Sequence, residues 1–259
     1  GSTNATMNTN ASGAGGVLLT ISTNASSTTS LLGNSTIKTL AYTIWEQNIS
    51  GDYRITKDGT GASSLSNNYL RLSGSNNIAG VTVNSGLLGY KNRYALGTGT
   101  LILADGVTVG QDGTILNTAT ADVIADRTVA NNISLLGNAT FGVGGSASYF
   151  SGNVDLNGAN RTLTFANATV FSGSITNGGL VAQRGETELT ASKTLALYGA
   201  STYEGGTTVI GVADRTNNLT LGLGNDRALG TGSLTFSGGG TNLVRALTLS
   251  TTDLNRTIT

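Results

Sequence analysis

Apolar residues in this chain come in pairs two positions apart, and the pairs recur along its length. Leu70 and Leu72, Val81 and Val83, Leu101 and Leu103, and Val107 and Val109 have this form. So do Ile133 and Leu135, Leu163 and Phe165, Leu195 and Leu197, Leu219 and Leu221, Leu234 and Phe236, and Leu247 and Leu249. A spacing of two puts both side chains on one face of a strand. Residues 17–21, 37–44 and 53–56 give further strand signals, and Gly, Asn, Ser and Asp turn formers fill the gaps. No segment of ten or more residues carries a helical period. The pattern predicts an all-β chain of many short strands.

The strands belong to a repeat. Residues 194–209 read TLALYGASTYEGGTTV, and residues 69–83 read YLRLSGSNNIAGVTV. Each is followed by a near-identical hexapeptide, Ala95-Leu96-Gly97-Thr98-Gly99-Thr100 and Ala228-Leu229-Gly230-Thr231-Gly232-Ser233. Aligning Leu70 with Leu195 gives an offset of 125, and aligning Ala95 with Ala228 gives 133. The difference of 8 predicts an insertion in the second copy between Gly211 and Leu219, around Val212-Ala213-Asp214-Arg215. Insertions at one point of a repeat map to loops on one side of a solenoid. A sandwich of this length would show hairpin signals and more bulky aromatics, whereas aromatics are 5%. A narrow interior lined by Leu, Ile, Val, Ala and Thr is expected, with Asn and Ser stacking near the corners. Turns of about 20–25 residues would give about ten to thirteen turns. At about 4.8 Å per rung the rod would be about 50–60 Å long.

Composition narrows the chemistry. Charged residues are 11% and the formal net charge is zero, which lacks the basic footprint of a nucleic-acid binder. Cys and His are absent, excluding disulfides, thiolate and imidazole metal sites, and Ser-His-Asp or Cys-His catalysis. Proline is absent too, as suits strands paired on both sides. No run approaches the roughly 18 apolar residues of a membrane-spanning helix. Gly1-Ser2 reads as a cloning scar, and residues 1–16 as scar plus polar lead-in. Residues 17–259 read as a single solenoid segment, with repeat units near 50–172 and 173–259, the second truncated. The last residues, Leu254-Asn255-Arg256-Thr257-Ile258-Thr259, echo Asp126-Arg127-Thr128-Val129 and Asn160-Arg161-Thr162-Leu163, where the chain runs on into another strand. The chain is therefore read as a slice of a longer repetitive protein.

The repeat resembles the autotransporter-associated β-strand repeat, whose pattern is L-x-L-x-G-x-N-x-Y-x-G-x-T-x-V followed by a Gly-Leu segment. Leu195, Leu197, Gly199, Tyr203, Gly205, Thr207 and Val209 match it, and Ser201 stands at the Asn position. The earlier copy matches at Leu70, Leu72, Gly74, Asn76, Gly80 and Val83, with Ile78 in place of Tyr and Val81-Thr82 opposite Gly206-Thr207. Residues 53–61 resemble the usual lead-in. The resemblance runs from residue 50 to the end and is weak before it. It implies a right-handed parallel β-helix of pectin-lyase-like architecture, in the passenger of a bacterial type V secretion protein. It also implies an extracellular, cell-surface location, with membrane contact only through a C-terminal β-barrel outside this chain. The expected function is that of a non-catalytic adhesin or stalk in attachment or self-association. Host or neighbouring-cell molecules, glycans or the protein itself would be the partners, with no nucleic acid and no cofactor. The alternative is a polysaccharide-binding or polysaccharide-degrading β-helix.

Five residues are candidates for partner contact. Tyr90, Lys91, Arg93 and Tyr94 form the one cluster mixing aromatic rings and cations, suited to a sugar ring or an anionic surface. The plainer reading is a lateral loop whose tyrosines pack on the rod. Trp45, the single Trp, reads as packing near an end of the core or as an interface residue. The best carboxylate pair is Glu186 and Glu188 beside Arg184, against the plainer reading of a solvent-facing strand. Gly222-Leu223-Gly224-Asn225-Asp226 faintly resembles a calcium-binding β-roll unit, against a Gly-rich turn. Asp105-Gly106 and Asp112-Gly113 read as turn dipeptides. The N-x-[ST] sequons at Asn48, Asn132, Asn138 and Asn167 are what an Asn-, Ser- and Thr-rich chain produces by chance. No residue is expected to be catalytic or to hold a metal.

Overall fold

The structure, a computed structural model, describes residues 5–9, 19–21, 28–59, 68–112, 124–143, 145–185, 193–211 and 219–238. Among them are 24 strands and one helical turn, Ile124–Arg127. Every strand pairing is parallel. Paired residues lie between 18 (Tyr69 and Leu87) and 32 (Leu101 and Ile133) positions apart. The chain therefore meets itself one turn later, as a β-solenoid, and ten strands pair in unbroken succession from Ala5–Thr9 to Leu234–Ser237.

Some turns are as short as expected, such as the 20 residues from Ser35 to Ile55. Others lengthen to 26 between Ile55 and Val81, or 32 between Leu101 and Ile133, because residues are added outside the ladder. The paired column of seven rungs from Thr36 to Thr176 spans about 30 Å at the usual strand spacing.

Alternation sets the two sides of each strand. Ile37, Val83, Leu103 and Leu135 are buried and share one inward column. Residues between the inward ones face out. Thr36, Thr56, Thr82, Ile102, Ser134, Asp155 and Thr176 pair in succession and are all half-buried. Each fully buried aliphatic side chain contributes about 1.5–3 kcal/mol, and in a solenoid that burial is shared between neighbouring rungs.

The interior is not purely aliphatic. Phe141, Phe150, Phe165, Phe171 and Tyr90 are buried in the middle of the rod. Phe150 lies 5.5 Å from Phe141, 5.5 Å from Phe171 and 5.9 Å from Tyr90, ring centre to ring centre. Phenylalanine thus joins the expected lining of Leu, Ile, Val, Ala and Thr. Four of the five Phe fall between residues 141 and 171, so a low average hides a dense local core.

The corners are held by asparagine. The side-chain oxygen of Asn48 accepts from the Ser75 backbone N–H one turn later at 2.8 Å. Asn132 does the same for Asn153 at 2.9 Å, Asn153 for Ser174 at 3.1 Å, and Asn138 for Thr162 at 2.8 Å. Three of the sequon asparagines are thus rung-to-rung acceptors. In the long strands Val154–Phe165 and Ile175–Arg184 the chain bends within the ladder, with Asn157 at φ 52° and Asn177 at φ 58°. Asn tolerates this left-handed region better than most residues.

The two repeat copies coincide in their contacts. Thr98 N–H donates to Ile78 C=O at 3.1 Å, and Thr231 N–H to Tyr203 C=O at 2.9 Å. Gly97 and Gly230 have φ of 71° and 64°, and an added Cβ would meet the carbonyl oxygen of Ile78 or Tyr203 at 2.4 or 2.2 Å. Asn76 and Ser201 also correspond: each side-chain oxygen accepts a backbone N–H of the preceding turn, from Ile49 at 2.8 Å and from Ile175 at 3.1 Å. Only Asn76 also reaches forward, donating to Ala95 C=O at 2.6 Å. The register corrects the alignment of Val81-Thr82 with Gly206-Thr207. Gly80 and Gly206 are both at positive φ, and an added Cβ would meet the carbonyl oxygen of Thr100 or Ser233 at 2.7 Å, so Val81 matches Thr207 and Val83 matches Val209. One extra residue of the second copy therefore sits at Gly205-Gly206. The others fall between the strands Thr207–Ile210 and Leu219–Leu223, where residues 212–218 lie outside the described residues.

Candidate functional site

The structure separates the candidate cluster. Tyr90 ends the strand Leu87–Tyr90 two positions after Leu88, pairs with Leu72 and Gln111, and is 0% exposed. Burial pushes its phenol up in pKa, so it stays neutral. It is a core residue, which removes it from partner contact. Lys91 follows half-buried, its N–H bonded to Leu72 C=O at 3.0 Å. Trp45 ends the strand Tyr42–Trp45 and packs, partly buried, against the core.

Arg93 and Tyr94 are exposed and lie together. The Arg93 guanidinium sits 4.6 Å from the Tyr94 ring centre and pairs with Asp126 at 3.9 Å. Asp126 belongs to the helical turn, which also exposes Ile124. The Arg93–Asp126 pair is solvated on both sides and is worth about 0–1 kcal/mol. Asn92 shapes this corner, its side-chain oxygen accepting from Tyr94 N–H at 2.8 Å. In the second copy Asn225 accepts from Arg227 N–H at 2.9 Å. The corner backbone is therefore conserved between copies while its tips change from Arg93-Tyr94 to Asp226-Arg227. The same comparison makes Gly222-Leu223-Gly224-Asn225-Asp226 the end of the strand Leu219–Leu223 followed by an asparagine-capped turn, with Leu223 buried. Among the described residues no three acidic side chains converge as a metal-ligating group. Glu186 and Glu188 lie outside the described residues; Arg184 is buried.

Two features escaped sequence reasoning. The first is a shallow groove of about 440 Å³ along the outer polar column. Ile102, Ser134, Asp155 and Thr176 form its floor, with Arg54 and Asn132 beside them. Arg54 is held by backbone carbonyls of three residues, Thr100 at 2.7 Å, Val81 at 3.1 Å and Ala79 at 3.3 Å. Burial lowers its guanidinium pKa without removing the charge. The Asp155 carboxylate accepts from Asn157 N–H at 2.8 Å and from the Asn177 amide at 3.1 Å. The groove thus offers short hydroxyls and amides, with its two charges already engaged. Its residues come from five turns, and only their rung-by-rung registration could have revealed them.

The second feature is an outward cluster on another face. Tyr42 and Tyr69 stack at 4.6 Å and 14°. Tyr69 donates to the Asp112 carboxylate, Tyr42 donates to it at 3.4 Å, and Arg71 pairs with it at 3.5 Å. Burial first, then Asp112, pushes the Tyr69 phenol far above its usual range; burial also raises Tyr42. Both phenols remain donors. Asp112, read from sequence as half of a turn dipeptide, is the hub of this network.

No protein-family model matches the chain, and neither a curated protein nor a solved structure matches it.

Proposed function

We propose that this chain is a non-catalytic segment of a bacterial autotransporter passenger, displayed at the cell surface as an adhesin or stalk. The observation that carries this reading is the outer column from Thr36 to Thr176, seven half-buried residues in line, five of them Thr or Ser. Short hydroxyl side chains have little rotamer freedom to lose on contact, so a straight row of them suits extended lateral binding. The zero net charge sets up no long-range repulsion between copies. The repeat's resemblance to passenger sequences supports the location, and a stacked rod suits a stalk. Host surface molecules, neighbouring cells, glycans or a second copy are the partners this face fits.

The test is display of the segment on cells, with Thr56, Thr82, Ser134 and Thr176 replaced by Glu in sets of two. Cell aggregation and attachment should fall with each set, while the circular dichroism of the purified segment stays unchanged. Unaltered aggregation and attachment with all four replaced would remove this face from the function. The groove favours a second reading, a polysaccharide-binding or polysaccharide-degrading β-helix. Release of reducing ends or unsaturated sugars from a polysaccharide panel, abolished by Asp155→Asn, would put that reading first.

A further inference from the structure

Lys57 occupies a position where the fold asks for an aliphatic residue. It pairs with Ile37 on one side and Val83 on the other, in the inward column that continues to Leu103 and Leu135. Its side chain is 0% exposed. A buried ammonium is costly unless its donors are matched and its charge is balanced. The Nζ donates to Ser85 C=O at 2.7 Å, to Asp58 C=O at 3.4 Å, and to the side-chain oxygen of Asn68. All three acceptors are uncharged. The nearest carboxylate, Asp58, is turned to Gly59 N–H at 2.8 Å and the Ser85 hydroxyl at 3.1 Å. Burial accordingly pushes the Lys57 amine down to about 7.

Asn68 is held as tightly as its partner. It is 1% exposed and sits at φ 50°, a backbone region open to Asn but disfavoured for most residues. The Thr39 hydroxyl donates to its side-chain oxygen at 3.3 Å. Two glycines wall the amide: a Cβ added at Gly59 would lie 2.2 Å from Asn68 Oδ1, and one added at Gly86 would lie 2.4 Å from Asn68 Cγ. An amine and an amide carbon are thus immobilised side by side in a site closed to solvent.

We propose that Lys57 and Asn68 become joined by an isopeptide bond. The Nζ lone pair attacks Asn68 Cγ, the Nζ–Cγ bond forms, and the Cγ–Nδ2 bond breaks. One proton passes from the attacking nitrogen to the departing one, and ammonia leaves. The step is redox-neutral and uses no other reactant. Thr39 donates to the oxygen on which negative charge develops in the tetrahedral intermediate. Fixed positions replace a bimolecular encounter, and exclusion of water protects the intermediate from hydrolysis. The product exchanges a buried amine for a neutral amide. It also closes residues 57–68 into a covalent loop in a chain with no cysteine to make a disulfide.

The test is the intact mass of the folded chain, followed by tryptic mapping. The expected mass is that of the sequence less one ammonia, with no cleavage after Lys57 and a branched peptide joining Lys57 to Asn68. Lys57→Arg and Asn68→Ala should each keep their full sequence mass. A wild-type chain at full sequence mass, cleaved after Lys57, would overturn the proposal without recourse to any variant. An ammonia loss that persists in Lys57→Arg would overturn it as well, by placing the loss at another asparagine.

Discussion

Phe150→Ala probes the interior where it is densest. Phe150 is 0% exposed and contacts Phe141 of its own turn, Phe171 of the next turn and Tyr90 of an earlier one. Truncating a buried Phe costs about 3–5 kcal/mol through lost transfer energy and the cavity left behind. Edge and stacked ring contacts add about 0.5–1.5 kcal/mol each to a site beyond area burial, which places Phe150 near the top of that range. A loss of about 3–5 kcal/mol lowers the folded-to-unfolded ratio by between two and four powers of ten. Because coupling in a solenoid passes between adjacent turns, the damage falls at the middle of the stack. Urea unfolding followed by far-ultraviolet circular dichroism would read it as a lower midpoint. Phe236→Ala is the internal control, since Phe236 is 38% exposed on the strand Leu234–Ser237 and should change stability by under about 1 kcal/mol. Equal effects from the two substitutions would refute an aromatic core at Phe150.

Asn131 is buried and its amide donates to the carbonyls of Leu96, Gly97 and Gly99 at 3.4, 3.1 and 2.5 Å. Asn131→Ala should therefore cost about 1–3 kcal/mol in urea unfolding by leaving these acceptors unpaired. Gly230→Ala should destabilise more than Gly106→Ala. Both have positive φ, but only at Gly230 does the new Cβ meet a backbone carbonyl, at 2.2 Å, while Gly106 faces open space. Thermal unfolding of the two variants gives the order. A Lys57 amine left free by Asn68→Ala is still held below the ordinary 10.5 by burial, so within that window it binds fewer protons folded than unfolded. Stability of that variant should rise with pH across this window and lose the gain as pH falls toward 7. The wild-type chain, with its nitrogen in an amide, should lack this contribution when urea midpoints are compared across pH.

The fold was legible because alternation survives wherever a strand has one wet and one dry side. Leu101 and Leu103, Ile133 and Leu135, and Leu195 and Leu197 are all buried, as their spacing requires. The same rule, applied to Leu88 and Tyr90, puts Tyr90 inside, although its cationic neighbours give it the look of an exposed cluster. The length of each turn was not legible, because extra residues lengthen some turns without marking the strands. The groove and the Lys57–Asn68 contact were not legible either. Each depends on residues brought together by register between turns: spacing of two from Ile55 puts Lys57 on the inward face, but only the fold brings Asn68 to it.

The stacked parallel register can be tested with one distance. Thr56 and Thr176 occupy the same outer column, linked through Thr82, Ile102, Ser134 and Asp155. The chain has no cysteine, so a Thr56→Cys/Thr176→Cys variant takes two spin labels and no others. Five rung steps put the labelled backbone positions about 24 Å apart. Double electron–electron resonance should give a narrow distribution centred near that spacing. A broad distribution, or one centred far beyond it, would contradict the solenoid register.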